Sequence, residues 1–443
     1  MKRVNAIILI LAVSIIMAAC VEINNTNSTI EGQFLAEVEE LRTLAEQGDA
    51  SAQSDLADIY FVSDNGHMAE YWLTKAAEQD HVVAQTNLGV LYRDGLVGAL
   101  QNYELAEYWF TRAAELGYAR AQNSLGLLYF EGIGIPQNLD LSKYWFTKAA
   151  EQDNVIAQAN LGVLYSDGLV GRLQNYELAE YWFTRAAELG YARAQRSLGL
   201  LYFDGVVSIP QDFDLAKYWY RKAAEQDDTI AQVNLGWMYH DGLGVVQSYE
   251  QAVYWFRRSA ELGEAQGQFN LGASYEHGDG VAQSYERAAH WYKVAAEQGL
   301  ADAQYNLGLA YELGRGVEQN YEMAIFWYKE AAEQGHGLAQ NNLGLMYAEG
   351  NGVLQDDKQA VYWFRRSATQ NNSVAQNNLG WQYENGWGVE QSYERAVYWY
   401  RKAAVQGNPN AQVNLGTMYY YGLGVEQNYE QAMYWFGRIV NQD

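Results

Sequence analysis

Residues 231–263 read AQVNLGWMYHDGLGVVQSYEQAVYWFRRSAELG, and the rest of the chain is best understood outward from this stretch. Ala231, Leu235 and Tyr239 fall four apart, so they share one stripe of a helix. Gly236 removes a side chain where a neighbouring helix must come close. Gly242 and Gly244 predict the end of that helix, because glycine accepts the left-handed backbone of a C-terminal cap. Tyr249 to Gly263 predicts a second helix, with Ala252, Trp255 or Phe256, and Ser259 on its buried stripe. Two helices with a short turn make an antiparallel pair.

The stretch is one copy of a pattern that fills most of the chain. Its Ala-Gln pairs begin at Ala84, Ala121, Ala157, Ala194, Ala231, Ala303, Ala339, Ala375 and Ala411, with Gly267 replacing the alanine once, in steps of 36 or 37 residues. A degenerate first copy begins at Ala52. There Phe61 to Gly66 stands in for the Gly-rich loop, which predicts a splayed pair. A fixed period of this length marks a solenoid, in which no unit buries its apolar face alone and stacking supplies the core. The predicted fold is all-α, a right-handed superhelix of about eleven helix-turn-helix repeats over residues 49–443. Before it, Leu35, Val38, Leu41 and Leu44 predict an N-terminal half-repeat helix over 34–48.

The chain carries 29 Lys plus Arg against 54 Asp plus Glu, a formal charge of −25. Such a field repels nucleic acid and anionic headgroups, so no nucleic-acid partner is expected. Six histidines (His67, His81, His240, His277, His290, His336) are scattered without metal-ligand spacing. Neither a P-loop nor a G-x-S-x-G motif is present, and Glu recurs at equivalent helical positions as solvated faces do. These absences predict a non-enzymatic protein with no cofactor and no metal.

The A-x-x-x-L-G-x-x-Y, G-x-G-V and A-x-x-W-Y/F-x-x-A-A-x-x-G pattern resembles the Sel-1-like repeat, a relative of the tetratricopeptide repeat. The first residues are similar to a bacterial lipoprotein signal: Lys2 and Arg3, an apolar run from Val4 to Met17 too short to span a bilayer, then Met17-Ala18-Ala19-Cys20. That resemblance makes 1–19 a signal peptide, Cys20 the lipid-bearing first residue, and 20–33, rich in Asn, Ser and Thr, a polar tether. It implies a membrane contact through the lipid only. Val21 rather than Asp after the cysteine implies the outer membrane, facing the periplasm. A plain secretory peptide or an uncleaved anchor is the alternative.

A partner-binding stripe is suggested by an internal duplication. Residues 81–132 and 154–205 differ at seven of 52 positions, and four of the seven (Val83/Ile156, Thr86/Ala159, Arg93/Ser166, Asn123/Arg196) lie on first helices. Counted from the Leu of each Leu-Gly, these sit at −5, −2 and +5. With +2, the offsets span roughly 80° at about 100° per residue, opposite the Ala-Leu-Tyr stripe. In tetratricopeptide proteins that side lines a concave groove, and the resemblance implies the same here. The predicted groove carries Arg93, Arg120, Phe130, Arg193, Arg196 and Phe203, then Trp237, His240, Phe269, Glu276, Asp302, Tyr305, Glu312, Trp381, Glu384 and Tyr420. Basic and aromatic early, acidic and aromatic late, it suits an extended protein segment. The Asn before Leu-Gly in eight copies (Asn87, Asn160, Asn234, Asn270, Asn306, Asn342, Asn378, Asn414) is read as a structural bond between repeats, and the Tyr-Trp-Phe runs at 108–110 and 181–183 as core.

The expected function is a membrane-anchored scaffold in the bacterial envelope. Tyr434, Phe436, Ile439 and Val440 predict an apolar patch on the last helix, suited to a homodimer. The alternatives are polysaccharide or peptidoglycan binding in exopolysaccharide export, and a secreted factor acting on host proteins.

Overall fold

The computed structural model describes residues 27–63, 65–96, 100–168 and 174–440, with side chains from Leu35 to Arg438. Cys20, the expected signal peptide and the first half of the expected tether lie outside the described residues. The described residues form 23 helices and no strand. One helix, Asn27–Glu46, precedes eleven pairs. The first helices of repeats 1 to 11 are Ala50–Val62, Val82–Asp94, Ala119–Glu131, Val155–Ser166, Ala192–Asp204, Thr229–Asp241, Ala265–His277, Ala301–Leu313, Gly337–Glu349, Ser373–Asn385 and Pro409–Tyr421. The second helices are Gly66–Ala77, Tyr103–Glu115, Leu139–Ala150, Tyr176–Glu188, Phe213–Ala224, Tyr249–Glu261, Tyr285–Glu297, Tyr321–Glu333, Asp357–Thr369, Tyr393–Val405 and Tyr429–Val440. The protein is an all-α repeat solenoid. Its chain divides into two compact units, Met1–Ala194 and Gln195–Asp443.

The N-terminal helix starts at Asn27 rather than 34, so its first turns fall inside the expected tether. Asn27-Ser28-Thr29 is a run of residue types favoured where helices begin, which composition alone does not distinguish from a linker. Ala45 of this helix is buried against repeat 1, and Leu41 packs beside it.

Local chemistry sets the helix boundaries. Second helices open on Asn102, Asp212, Ser248, Asn320 and their counterparts, whose side chains accept a backbone N–H three residues on. Gly242 ends the first helix of repeat 6 at φ 71°, in the left-handed region. A Cβ on Gly236 would lie 2.5 Å from the Phe256 ring, so the pair closes only because glycine stands there. Repeat 1 lacks the Gly-rich loop, yet its helices pack as closely as the other pairs. Asn65 caps its second helix, and the Ser63 N–H bonds the carbonyls that end the first.

Stacking inside each unit uses two devices. Apolar contact is the first: Trp109 joins the core of repeats 1 and 2, and Trp327, Trp363 and Trp435 each reach back into the core of the preceding repeat. The Ala-Gln glutamine is the second. Gln376 donates to the Ala368 carbonyl at the end of the preceding second helix, and its Oε1 accepts from Gln406 of its own repeat. The same clasp joins Gln53 to Gln79, Gln122 to Gln152, Gln268 to Gln298, Gln304 to Gln334 and Gln340 to Gln370. Where the donor position holds Leu116, Leu189 or Leu262, the Oε1 of Gln85, Gln158 or Gln232 is buried without a partner. Those repeats carry another fastener. Asp80, Asp153 and Asp227, all at positive φ, accept from the same glutamines and from Arg112, Arg185 and Arg258.

Candidate partner-binding face

The predicted stripe divides lengthwise into an open and a covered half. Position −5 points outward, as at Arg120, Arg193 and Asp302, and position +2 is exposed at Trp237 and Trp381 but half-buried in most other copies. Positions −2 and +5 turn toward neighbouring helices, and most of their side chains are half-buried. The angular order explains the split, since −5 and +2 lie near 200–220° from the core leucine and −2 and +5 near 140–160°, at about 100° per residue.

In the first unit, Arg93 is half-buried and makes a two-point ion pair with its neighbour Asp94, at 2.6 and 2.8 Å. Phe130 packs on the core around Phe146. Arg120 stands beside Asp58 on a small cavity between repeats 1 and 2. Asp58 keeps solvent-exposed atoms, yet burial of its carboxyl, and then the Asp55 charge, push its pKa up to about 6 against the pull of Arg120.

In the second unit the expected charges are largely engaged by the fold. Arg196 pairs at 3.2 Å with Asp228, which also caps the first helix of repeat 6. Glu276 accepts a hydrogen bond from the Tyr292 hydroxyl at 2.6 Å, and Glu384 one from Tyr400 at 2.5 Å. Glu312 accepts from Tyr328. Burial, then the bond to its carboxylate, holds each of these phenols well above its ordinary pKa. The acidic late stretch of the stripe is therefore a set of tyrosine anchors first. Its acidity does not report a basic partner. Phe203 packs on Phe213 and Tyr220, Phe269 on Tyr292, and Tyr305 stacks on His336 at 4.8 Å. His240 pairs with Asp241 at 2.6 Å.

What remains open is mainly aromatic. Trp237 is 39% exposed with its edge on Phe256 and His240. Trp381 is 44% exposed and meets Trp387 of the following loop edge-on at 6.2 Å. Tyr420 is exposed beside Tyr421 and Tyr429. On the second helices the Tyr-Trp-Phe runs split three ways. Phe110 and Phe183 are core, the tryptophans are buried or half-buried, and Tyr108 and Tyr181 stand half out of the surface, so the tyrosines are not the core residues expected. On the last helix Tyr434 is exposed but Phe436 is half-buried against Gly416, which narrows the expected patch, while the side chains of Ile439 and Val440 lie outside the described ones.

The Asn before Leu-Gly bonds across repeats at several copies, as its recurrence implied, but not at Asn270, whose Nδ2 is buried without a partner. Asn160, Asn378 and Asn414 donate to Asn123, Asn341 and Asn377 one repeat earlier, and Asn342 donates to the Tyr328 hydroxyl. The Tyr–Glu pairs were missed, although a signal for them exists. In repeats 7, 8 and 10, Tyr on the second helix coincides with Glu at +5. In repeats 6, 9 and 11, Phe256, Phe364 and Phe436 coincide with His240, Ala348 and Tyr420. Among the described residues, no group of His, Cys, Asp or Glu has the geometry to hold a metal ion. None of the helices described is long and apolar enough to cross a membrane.

The Sel1 repeat family model matches eleven consecutive segments: 50–81, 82–118, 119–154, 155–191, 192–228, 229–264, 265–300, 301–336, 337–372, 373–408 and 409–443. Among solved structures, the chain is similar to c5321, described as a protective antigen present in uropathogenic Escherichia coli strains and displaying an SLR fold. That likeness has 39% identity and a TM-score of 0.69, over 91% of this chain and 87% of the other. It is also similar to a Sel1 repeat protein from Oxalobacter formigenes, at 32% identity and a TM-score of 0.52, over 67% of this chain and 85% of that one. No curated protein sequence matches the chain. Eleven matched repeats, each coinciding with one helix pair of the fold, show that the chain belongs to the Sel1 repeat family.

Proposed function

We propose that the protein is a scaffold that holds an extended segment of a partner protein against the first-helix faces of its repeats, with no chemistry of its own. A contrast between its two faces carries this reading. One exposed position of the second helices holds tyrosine in nine copies, Tyr71, Tyr108, Tyr144, Tyr181, Tyr218, Tyr254, Tyr362, Tyr398 and Tyr434, and gives way to His290 and Phe326 in repeats 7 and 8. The open positions of the first helices change from copy to copy, as in Arg120, Ile156, Arg193, Trp237, Leu338 and Trp381. A side chain repeated in most copies fits a role in the fold, whereas an exposed one that changes from copy to copy fits recognition of a ligand that changes along its length. Tryptophan and arginine are, with tyrosine, the residue types enriched among the anchors of protein interfaces.

The tether belongs to the same proposal. Lipid on Cys20, followed by a polar segment, places the repeats at the bacterial envelope, on the outer membrane and facing the periplasm. The description of the 39%-identical relative as a protective antigen supports an exported protein. Glycan binding is the second reading, favoured by Trp381 and Trp387, whose exposed rings suit sugar stacking.

Retention of partner by the tethered protein in its native envelope tests the proposal. Arg193→Glu with Trp237→Ala and Trp381→Ala should reduce it at least tenfold, while Tyr108→Ala with Tyr181→Ala should leave it within twofold. Equal losses would overturn the choice of face. A saturable tryptophan-fluorescence response to oligosaccharide, with none to peptide, would favour the glycan reading. Cys20→Ser should abolish acyl labelling and release the protein from the membrane fraction, and persistent labelling would refute the anchor.

A further inference from the structure

Repeat 1 departs from the other ten at one buried contact. Elsewhere the Leu-Gly glycine faces an aromatic ring of the second helix: a Cβ on Gly89 would lie 2.4 Å from Phe110, and one on Gly272 would lie 2.8 Å from Tyr292. In repeat 1 the pair is Ala57 and Leu73, so a methyl has been gained and a ring lost. The ring leaves a space behind. A cavity of about 210 Å³ opens between repeats 1 and 2, walled by Ala57, Phe61, Leu73, Val90, Leu91 and Leu96.

The equivalent niche between repeats 7 and 8 shows what normally fills it. Glu276, Tyr292, Asn306, Leu309, Ala310 and Arg315 stand there at the positions of Phe61, Leu73, Asn87, Val90, Leu91 and Leu96, and only about 10 Å³ remains. Tyr292 occupies the space, its hydroxyl donating to Glu276 and meeting Asn306. In repeat 1 one of the two polar partners persists without the phenol: Phe61 replaces the glutamate, and Asp58 supplies a carboxylate from another position of the same helix. Asn87 holds the register of Asn306, its Nδ2 lies 3.5 Å from Asp58 Oδ1, and Arg120 completes the rim. A cavity of about 150 Å³ with apolar walls accepts benzene, so this one has room for a phenol ring.

We infer that the cavity is a socket for one aromatic side chain, Tyr or Phe, of a partner peptide, whose ring takes the place that the aromatic residue of repeat 1 has vacated. A tyrosine fits best, donating its O–H to Asp58 and accepting from Asn87, as Tyr292 is bonded by Glu276 and Asn306 in its own niche. The inference rests on the scaffold reading and adds to it the first fixed point of the ligand, an aromatic anchor at the N-terminal end of the first-helix face.

The probe is p-cresol, the side chain of tyrosine, titrated into the full chain and followed by methyl NMR. Wild type should bind one equivalent saturably, with a dissociation constant on the order of 1 mM for so small a ligand. Shifts should be confined to the methyls of Ala57, Leu73, Val90 and Leu91. Ala57→Gly with Leu73→Phe restores the ordinary pair and plugs the socket, so affinity should fall at least tenfold with no loss of melting temperature. Absence of saturable binding, shifts centred elsewhere, or equal binding by the double variant would overturn the inference. The wild-type shift map stands alone if that variant folds poorly. Should p-cresol fail while Arg193→Glu, Trp237→Ala and Trp381→Ala still weaken partner retention, the socket falls and the scaffold stands.

Discussion

Gln406 donates to Gln376, whose Oε1 would otherwise be buried without a partner, as that of Gln232 is opposite Leu262. Leaving a buried acceptor unpaired costs about 1–3 kcal/mol, and supplying one hydrogen bond returns about 1 kcal/mol. Gln406→Leu should therefore destabilise the second unit by about 1–3 kcal/mol, and Leu262→Gln should stabilise it by about 1 kcal/mol, both read by urea denaturation. His336 gives a pH-dependent counterpart. Its Nδ1 caps a helix by accepting from the Ala339 N–H at 3.1 Å, a role open only to the neutral ring, and burial lowers its pKa below the ordinary 6.5 although Asp302 pulls it up. The folded state thus resists protonation, so the cap's stability is present above pH 6.5 and fades as pH falls through that value toward the lower folded pKa. His336→Asn, the residue that caps repeats 10 and 11, should match wild type at pH 8 and melt higher than it at pH 5. At this scale the sequence was only partly legible. The Asn before Leu-Gly declared its role by recurring in unlike surroundings. Glu276, Glu312 and Glu384 did not, because helical periodicity places a carboxylate on a face without showing that a buried phenol on another helix claims it.

The helix pair is the element whose boundaries were clearest in advance. Gly242 stops a helix through its own backbone freedom, and Ser248 starts one through its own side chain, so both act locally and can be read locally. Contacts between elements were less visible. Nothing in the run Tyr-Trp-Phe announces that Phe256 faces its own pair, that the tryptophan reaches back to the preceding repeat, and that the tyrosine stays outside. Trp327 is 8% exposed and sits in the core of repeat 7. Trp327→Ala should cost about 3–5 kcal/mol, the usual range for emptying an aromatic site. Because a solenoid is stabilised by nearest-neighbour interfaces, hydrogen exchange should quicken in repeats 7 and 8 and hardly change in repeat 11. Uniform acceleration from Gln195 to Val440 would contradict that picture.

At the scale of the whole molecule, the period of 36 or 37 residues made the solenoid legible, because stacking is the one way so many copies of a half-buried pair share a core. The candidate binding face was legible only in outline. An 80° stripe was named, yet a neighbouring helix covers nearly half of it, and coverage depends on how pairs pack rather than on the phase of any one helix. On the proposed scaffold function, recognition belongs to the uncovered half, through exposed side chains such as Trp237 and Trp381. Photo-crosslinking in the native envelope measures this directly, with a photoreactive residue placed at Trp381 or Trp237 on first helices and at Tyr398 or Tyr254 on second helices. Adducts to one partner protein from the two first-helix positions, and none from the second-helix positions, are the predicted result. Adducts from Tyr398 and Tyr254 alone would contradict the account.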